Sequence, residues 1–165
     1  MKRPLPILCV LLLGGALAQT QAPLRLLLTQ DLVTAVTENG KATEKLTPAP
    51  ASVRPGDTLT QQLTASNVSR GTLRGAVLGV PVPRGTVYLG GATPTSNRWT
   101  TQFSRDGGKT FAAAPLKKTI AVTENGKTVQ KEVVVSPSEY TNVRWVVASL
   151  QPNETLKLGF RVKVQ

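Results

Sequence analysis

The clearest indication of the fold is the sequence of the last ten residues, LKLGFRVKVQ at positions 156–165. Large apolar side chains occupy every second position, and lysine, glycine, arginine and glutamine stand between them. Alternation with a period of two is typical of a strand that rests one face on a core and turns the other to solvent. The stretch therefore predicts a half-buried β-strand with a basic outer face.

The same period appears just upstream. Val143, Trp145 and Val147 alternate with Arg144 and Val146. Residues 149–153, SLQPN, supply a turn between the two stretches because proline and asparagine favour turn conformations. Trp145 shares a face with the two valines, so we expect it in the core. The two strands should either pair or face each other across that core.

A heptapeptide, AVTENGK, occurs twice, at 35–41 and at 121–127. Asn-Gly is a strong hairpin signal because both residues tolerate the positive φ of a type I′ turn. The flanking residues agree poorly, so duplication and convergence on a good turn both stay open as origins. Either origin predicts two hairpins.

Between the hairpins, turn signals separate short stretches with strand character at 58–66, 72–80, 86–89, 99–103 and 110–112. Turns at intervals of 8 to 12 residues are typical of a β-sandwich. The Gly-, Thr- and Pro-rich stretch 90–97 predicts a loop. The chain is therefore expected to be all-β, an antiparallel β-sandwich with an extra N-terminal hairpin.

The N-terminus has the pattern of a secretory signal peptide. Lys2 and Arg3 precede an apolar stretch at 5–17, and Ala16-Leu17-Ala18 forms a small-residue cleavage site. The apolar stretch is shorter than the roughly 20 residues of a membrane span. We predict a signal peptide at 1–18, N-terminal strands that pack as a hairpin on the domain at 19–50, and the sandwich at 51–165. The protein should be exported, to the periplasm, the cell surface or the medium.

The sequence is strongly basic, with a formal net charge of +11, and removal of Lys2 and Arg3 would leave +9. A positive surface favours anionic partners such as wall polymers, acidic polysaccharides, lipid headgroups or nucleic acid. The alternative is that the charge only keeps a secreted protein in solution. The even spread of the basic residues along the chain fits that alternative.

Several kinds of chemistry are missing from the sequence. It has no histidine, and its single cysteine, Cys9, lies in the apolar stretch of the signal. This removes the usual general base at neutral pH and the commonest ligands of transition metals. Asp57 and Asp106 stand in turns, where aspartate commonly braces the backbone. We expect no catalytic residue, no metal site and no cofactor.

The candidate binding residues are Arg98, Trp99, Arg105 and Lys109, which place basic side chains next to an aromatic one near turns. Such a combination can bind nucleic acid by stacking and phosphate contacts. The simpler alternative, which we favour, places Trp99 at the edge of the core and the basic side chains in solvent. Nucleic acid is therefore not the expected partner.

A set of short motifs resembles one family. They are VRPGDTLT at 53–60, Asn67 and VPVPRGTVY at 80–88, with further matches at 104–111, 137–145 and 150–164. Together they resemble the conserved-repeat domain of bacterial surface proteins. The resemblance implies an immunoglobulin-like sandwich, which in that family usually occurs in tandem arrays that form stalks or envelope layers. This chain differs in having one copy and an added segment at 24–50. The family provides no catalytic residues to carry over.

The fragment SRDGGKTF at 104–111 also resembles the Asp-box of sialidases and related propellers. In that motif the aspartate braces a hairpin turn and the closing aromatic packs below it. The resemblance therefore implies a structural role for Asp106, and a single copy does not predict a propeller or a glycosidase.

These observations favour a non-catalytic structural or adhesive module of the bacterial envelope that binds a surface protein or an anionic wall polymer. The alternative is a soluble periplasmic or secreted protein that recognises a small ligand or carbohydrate. The sequence leaves open the oligomeric state and an internal Lys–Asn crosslink such as Lys157 to Asn67. We expect Lys157 to face solvent instead.

Overall fold

The computed structural model describes residues 22–38, 40–124 and 126–165. The predicted signal peptide and the asparagines of both Asn-Gly turns lie outside the described residues. Within them the chain forms ten strands and one 3-10 turn, Pro137–Glu139. The strands are β1 (Leu24–Glu38), β2 (Lys41–Pro48), β3 (Thr58–Asn67), β4 (Leu73–Pro81), β5 (Thr86–Gly90), β6 (Trp99–Ser104), β7 (Lys117–Glu124), β8 (Lys127–Val134), β9 (Asn142–Leu150) and β10 (Thr155–Val164).

The first sheet has the strand order β2-β1-β3-β10-β5 and is antiparallel throughout. In β3 and β10, buried side chains alternate with more exposed ones. On β10 the side chains of Leu156, Leu158 and Phe160 are buried, whereas Lys157, between the two leucines, is exposed on the opposite face. The half-buried C-terminal strand is confirmed, and Lys157 faces solvent.

The second sheet has the order β4-β9-β6, also antiparallel. On its central strand Val143, Trp145 and Val147 are fully buried. Strands β9 and β10 belong to different sheets, and their apolar faces share one core. Of the two arrangements that the sequence allowed for them, facing across the core is the one observed. The all-β sandwich is thereby confirmed, while its immunoglobulin-like character stays a prediction.

Four aromatic side chains fill one end of the core: Tyr88, Phe103, Tyr140 and Phe160. Their ring centroids lie 5.1 to 5.8 Å apart in the contacting pairs. Aromatic pairs at these distances add to the stabilisation that burial of their area provides. The cluster joins strands of both sheets at the end where the 3-10 turn lies.

Both predicted hairpins are present, but they are placed differently. Strands β7 and β8 pair only with each other and form a separate two-stranded sheet. The base of this hairpin is held by Leu116 and Val135, which are buried, and the amide of Leu116 donates a 3.1 Å hydrogen bond to the Tyr140 hydroxyl. Eight residues of each strand continue from that base, a length of about 26 Å.

The N-terminal hairpin, in contrast, is part of the first sheet. Residues 24–33 of β1 pair with β3, and residues 31–38 pair with β2. The hairpin curves over the outer face of the sheet. This curvature brings Glu44 of β2 to Arg161 of β10, and the two side chains form a two-point ion pair at 2.6 and 2.8 Å. These strands are not neighbours in the sheet order, so the contact requires a curved sheet.

Two shorter segments refine the sequence prediction. The stretch 110–112 forms a single bridge, Phe103 to Ala112, in place of the predicted strand. The segment that could pair is short, because bends at 105–110 and 114–115 lie on either side of Ala112. The loop predicted at 90–97 is observed, and Thr93 hydrogen-bonds Gly159 and Trp145.

Candidate functional site

Three turns meet at one end of the sandwich: residues 54–57, 83–86 and 105–110. We call this region the basic end. The first two turns are joined through the end of β10, where the Gly56 amide donates to the Val164 carbonyl at 2.9 Å and the Gln165 amide donates to the Gly85 carbonyl at 2.9 Å. The backbone ladder of the sheet therefore holds these two turns side by side.

The third turn is joined to the second through Thr141. The amide of Val82 donates to the Thr141 carbonyl at 2.8 Å. The hydroxyl of Thr141 accepts from the Gly107 amide at 3.0 Å and lies 3.2 Å from the Ser104 carbonyl, to which it donates. One threonine thus links the segment before residue 83 to the turn after β6.

The turn at 105–110 is built around the carboxylate of Asp106. Its oxygens accept hydrogen bonds from the hydroxyls of Ser104 and Thr110 at 2.6 and 2.5 Å and from the amides of Lys109 and Thr110 at 2.9 to 3.1 Å. These donors, the Ser104 hydroxyl first, hold the pKa of Asp106 far below its ordinary range. Asp106 therefore stays ionised and braces the turn, as its resemblance to the Asp-box implies.

Gly108 is required at this turn for two reasons. Its φ of +88° lies in the left-handed region. A Cβ at this position would also stand 3.4 Å from the Asn142 side chain. The close approach of the turn to β9 therefore depends on glycine.

The motif's aromatic residue packs outside the core. Phe111 is half-buried, and the Arg144 guanidinium lies over its ring at 4.0 Å from the centroid. The Arg144 Nε also donates to the Gln102 side-chain oxygen at 2.8 Å. A cation above an aromatic face is attracted to its negative potential. The Phe111–Arg144 pair fixes the far side of the turn on the second sheet.

Four basic side chains stand on the three turns: Arg54, Arg84, Arg105 and Lys109. All four are exposed, and within the described part of the chain none of them forms an ion pair. The acidic residues of the same turns accept hydrogen bonds from backbone amides. Asp57 accepts from the Arg54 amide at 2.8 Å, and Asp106 braces its own turn. The charge that this end presents to solvent is therefore positive.

One further acidic residue lies near the basic end. Glu139 accepts hydrogen bonds from the Lys118 ammonium at 2.8 and 3.0 Å. This bond is the largest cause that lowers the pKa of Glu139, and the charge of Arg105 contributes to the same shift. The negative charge of Glu139 is thus compensated by the positive charge of Lys118, at the base of the β7–β8 hairpin.

The structure divides the four binding residues predicted from the sequence into two pairs. Arg105 and Lys109 lie on one turn of the basic end. Arg98 and Trp99 lie at the other end of β6, about 20 Å away, because Arg105 follows Trp99 by six positions along an extended strand. The four side chains do not form one site.

Arg98 and Trp99 have structural partners where they are. Arg98 forms an ion pair with Glu154, which also accepts from the Gln151 amide at 2.8 Å. The Trp99 indole donates to the Pro94 carbonyl at 2.9 Å, and its ring packs against the core. Both side chains therefore hold the 94–99 loop in place. Sequence reasoning missed Arg54 and Arg84, because only the sheet pairing brings their turns beside residue 105.

A second concave region lies on the outer face of the first sheet, under the curved β2 strand. It is an open groove of about 380 Å³ with a mixed lining. Its polar and charged residues include Glu44, Thr60, Gln62, Lys157 and Arg161, and its apolar residues are Leu46, Leu158 and Phe160. The hydrogen bond from Arg161 lowers the pKa of Glu44. The Glu44–Arg161 pair closes one side of the groove.

Asn67 and Lys157 lie on opposite faces of the first sheet. Asn67 is buried, and its amide nitrogen donates to the carbonyls of Gly71 and Leu150 at 2.8 and 2.9 Å. Lys157 is exposed on the outer face. The side chain of Asn67 therefore closes a turn, and this pairing is not placed for a crosslink.

Comparison with protein-family models, curated proteins and solved structures gave no match in any of the three searches. The likeness to the conserved-repeat surface domain therefore stays a prediction from the sequence motifs. Among residues 22–38, 40–124 and 126–165, no helix is long and apolar enough to cross a membrane. The same residues contain no group of three or more acidic, histidine or cysteine side chains placed to hold a metal ion.

Proposed function

We propose that this chain is an exported, non-catalytic adhesive module of the bacterial cell envelope, and that its basic end binds an anionic wall polymer. The observation that carries this proposal is the meeting of Arg54, Arg84, Arg105 and Lys109 on three adjoining turns, each exposed and without an ion pair in the described residues. The signal-peptide pattern and the motif likeness to bacterial surface domains support export and the envelope. An immunoglobulin-like sandwich is part of the same proposal.

The chemistry of these side chains suits a polymer with repeated phosphate or carboxylate groups. Guanidinium groups bind such groups through two parallel hydrogen bonds, and a lysine ammonium adds a point charge. Several exposed charges act together on a repeating ligand, because each added contact raises the local concentration of the next anionic group. Binding of this kind weakens as salt screens the charges.

A pair of triple variants tests the proposal. Arg84→Gln with Arg105→Gln and Lys109→Gln removes three charges from the basic end. Arg70→Gln with Arg74→Gln and Lys157→Gln removes three exposed charges elsewhere and gives the same net charge. Binding of purified protein to poly(glycerol phosphate) is measured by titration at 50 and 300 mM salt.

We expect the basic-end variant to bind at least about tenfold more weakly than the matched control at low salt, a difference of about 1.4 kcal/mol. Wild-type binding should fall as salt rises. Equal loss in both variants would show that net charge alone is responsible and would overturn the assigned site. Polyglutamate serves as a second polymer, with carboxylate groups in place of phosphates. If the protein binds neither polymer, an anionic polymer is excluded as its ligand and a surface protein is favoured as its partner.

Fractionation of the native cells tests the envelope location. An envelope module should sediment with the wall and elute as salt increases. A protein found free in the periplasm or medium at low salt would contradict the proposal and favour the soluble carrier.

The groove under β2 favours that second candidate, recognition of a small polar ligand or carbohydrate. Its volume of about 380 Å³ lies within the range of small-molecule sites. Thr60, Gln62 and Lys157 supply hydroxyl, amide and ammonium groups for hydrogen bonds to a sugar. A rise in melting temperature with one class of sugar, lost in Gln62→Ala, would support this function over polymer binding.

A further inference from the structure

One edge of the first sheet is open. Strand β2 pairs with β1 only from Asp31 onward. Among residues 22–38, 40–124 and 126–165, the first part of β1, residues 24–29, therefore has a neighbouring strand on the β3 side alone. The backbone groups that point away from β3 belong to the even-numbered residues, because the Gln30 carbonyl accepts from the Ala49 amide at 3.1 Å on that side. Leu24, Leu26 and Leu28 therefore direct amide and carbonyl groups toward an edge that no strand among the described residues occupies.

The open edge is apolar on both faces. Leu26, Leu27 and Leu28 are 53, 57 and 50% exposed. Natural sheets protect an edge strand with proline, inward lysine or a bulge. Residues 24–29 contain none of these devices, and their one charged residue is Arg25.

The open segment has sharp limits. Beyond it, Pro48 and Ala49 occupy the place beside Asp31 and Gln30. Before it, β1 begins at Leu24. The free length of about six residues is that of an ordinary strand.

We propose that two copies of this chain associate through this edge, with the β1 strands antiparallel about a two-fold axis at Leu27. In this register Leu26 faces Leu28 of the second copy, and Leu28 faces Leu26. Each of these pairs exchanges two backbone hydrogen bonds, so four bonds form across the axis. Leu27 lies opposite Leu27 of the second copy. The pairing covers residues 25–29 of each chain, because the Ala49 amide already bonds the Gln30 carbonyl at the next position. The two five-stranded sheets become one continuous sheet.

The same register makes the charges complementary. Arg25 faces Thr29 of the second copy and is the diagonal neighbour of its Asp31, at a distance that long side chains span. In the described chain neither Arg25 nor Asp31 forms an ion pair, and both side chains lie on the outer face of the sheet. Two-fold symmetry gives this contact twice. The charge pattern and the matching leucines both indicate that the open edge of β1 binds a second copy of this chain.

A disulfide trap tests the register. The only cysteine of the sequence is Cys9, so the exported form, residues 19–165, carrying Leu27→Cys has one thiol. Residues opposite each other in a pair without backbone hydrogen bonds have Cα atoms about 4.5 Å apart, within the range of a disulfide. Mild oxidation should convert most of this variant to a covalent dimer. Leu89→Cys, with a similarly exposed leucine on β5, should yield at least about tenfold less dimer.

Sedimentation equilibrium tests the association without a crosslink. Leu26→Lys with Leu28→Lys places charges on the edge and should raise the dimer dissociation constant at least about a hundredfold. Val77→Lys, at a 58% exposed position on the other sheet, should leave it unchanged within about twofold. Circular dichroism and thermal unfolding verify that each variant is folded.

Reversal of the charges at Arg25 and Asp31 distinguishes the proposed ion pair from a contact made by the leucines alone. Asp31→Arg should weaken the dimer at least about tenfold, and Arg25→Asp in the same chain should restore it. A wild-type protein that stays monomeric at 500 µM would overturn the proposal, and so would a dimer that the Lys variants do not change. The edge would then be open to a strand from another protein. Polymer binding at the basic end is measured separately, so either proposal can fail alone.

Discussion

The carbonyl oxygen of Thr93 accepts a hydrogen bond of 3.0 Å from the indole Nε1 of Trp145, the largest fully buried side chain of the core. Thr93 also forms two hydrogen bonds with Gly159 of the opposite sheet. The Thr93 amide donates to the Gly159 carbonyl at 2.8 Å, and the Thr93 hydroxyl accepts from the Gly159 amide at 2.9 Å. Thr93 therefore joins the two sheets through a loop that resembles an ordinary surface connection in the sequence.

Removal of the Thr93 hydroxyl tests this connection. Thr93→Val keeps the shape of the side chain but leaves the Gly159 amide without its acceptor. The free energy of unfolding, measured by urea denaturation, should fall by about 1 kcal/mol, the net contribution of one hydrogen bond, because the Gly159 amide is only partly buried. Thr93→Ser retains the hydroxyl and should lose less than half as much. Equal loss in both variants would show that the methyl group matters and not the bond.

Gly159 should tolerate no side chain. A Cβ at this position would lie 2.7 Å from the Gln61 carbonyl oxygen, which belongs to the neighbouring strand. Gly159→Ala must therefore move the backbone of β3 or β10, and we expect a loss of about 2 kcal/mol or more in unfolding free energy.

Gly79→Ala is the matched control in a strand of the other sheet. Its Cβ would meet the Arg144 side chain at 3.9 Å, an ordinary contact. This variant should change stability by less than about 0.5 kcal/mol. A Gly159→Ala protein as stable as wild type would contradict the packing of β10 on β3.

The core contains one polar atom whose burial is not compensated among the described residues. Gln61 is 3% exposed, and its Nε2 has no hydrogen-bond partner. Gln61→Met removes the unpaired group and keeps the length of the side chain, so the unfolding free energy should rise by about 1 kcal/mol. Gln62→Met, on the outer face of the same strand, should stay within about 0.5 kcal/mol of wild type. A destabilised Gln61→Met would indicate that the amide has a bound partner in solution.

The lowered pKa of Asp106 predicts an acid-sensitive turn. Its carboxylate is favoured in the folded protein, so the stabilisation is complete above the ordinary aspartate pKa, near 4, and is lost as pH falls below it toward the folded value. The unfolding free energy of wild type should therefore decrease as pH is lowered from about 4. Urea denaturation at pH 7, 4 and 3 measures this slope.

Two variants separate the contribution of Asp106 from those of the other carboxylates. Asp106→Asn should be less stable than wild type at pH 7, and its stability should depend less on pH below about 4. Thr110→Val removes one donor to the carboxylate, because its hydroxyl lies 2.5 Å from Oδ2, and should give an intermediate slope. Identical slopes for all three proteins would contradict the role of Asp106.

The sequence predicted the all-β class, both hairpins and the core position of Trp145, because each depends on local periodicity or turn chemistry. Trp145 was identified by its spacing from Val143 and Val147 alone. The role of Asp106 followed from its motif, since all of its donors lie within four residues along the chain.

The candidate site was only half predicted. Arg105 and Lys109 were identified because they flank one turn, but Arg98 and Trp99 were grouped with them from proximity in sequence. An extended strand carries residues seven positions apart to opposite ends of a sheet. Arg54 and Arg84 join the site through pairing with the end of β10, and no local pattern predicts a contact between residues 80 or 108 positions apart, as Gly85–Gln165 and Gly56–Val164 are.

By itself, then, the sequence determined the alternation of buried and exposed side chains and the places where the chain turns, because side-chain direction in a strand repeats every two residues. Only the tertiary structure decided that one Asn-Gly hairpin belongs to the main sheet and that the other stands alone. It also decided which turns gather at the basic end and where β1 lacks a second neighbouring strand among the described residues. These features depend on which strands pair, and pairing between distant segments is selected by the packing of the whole core.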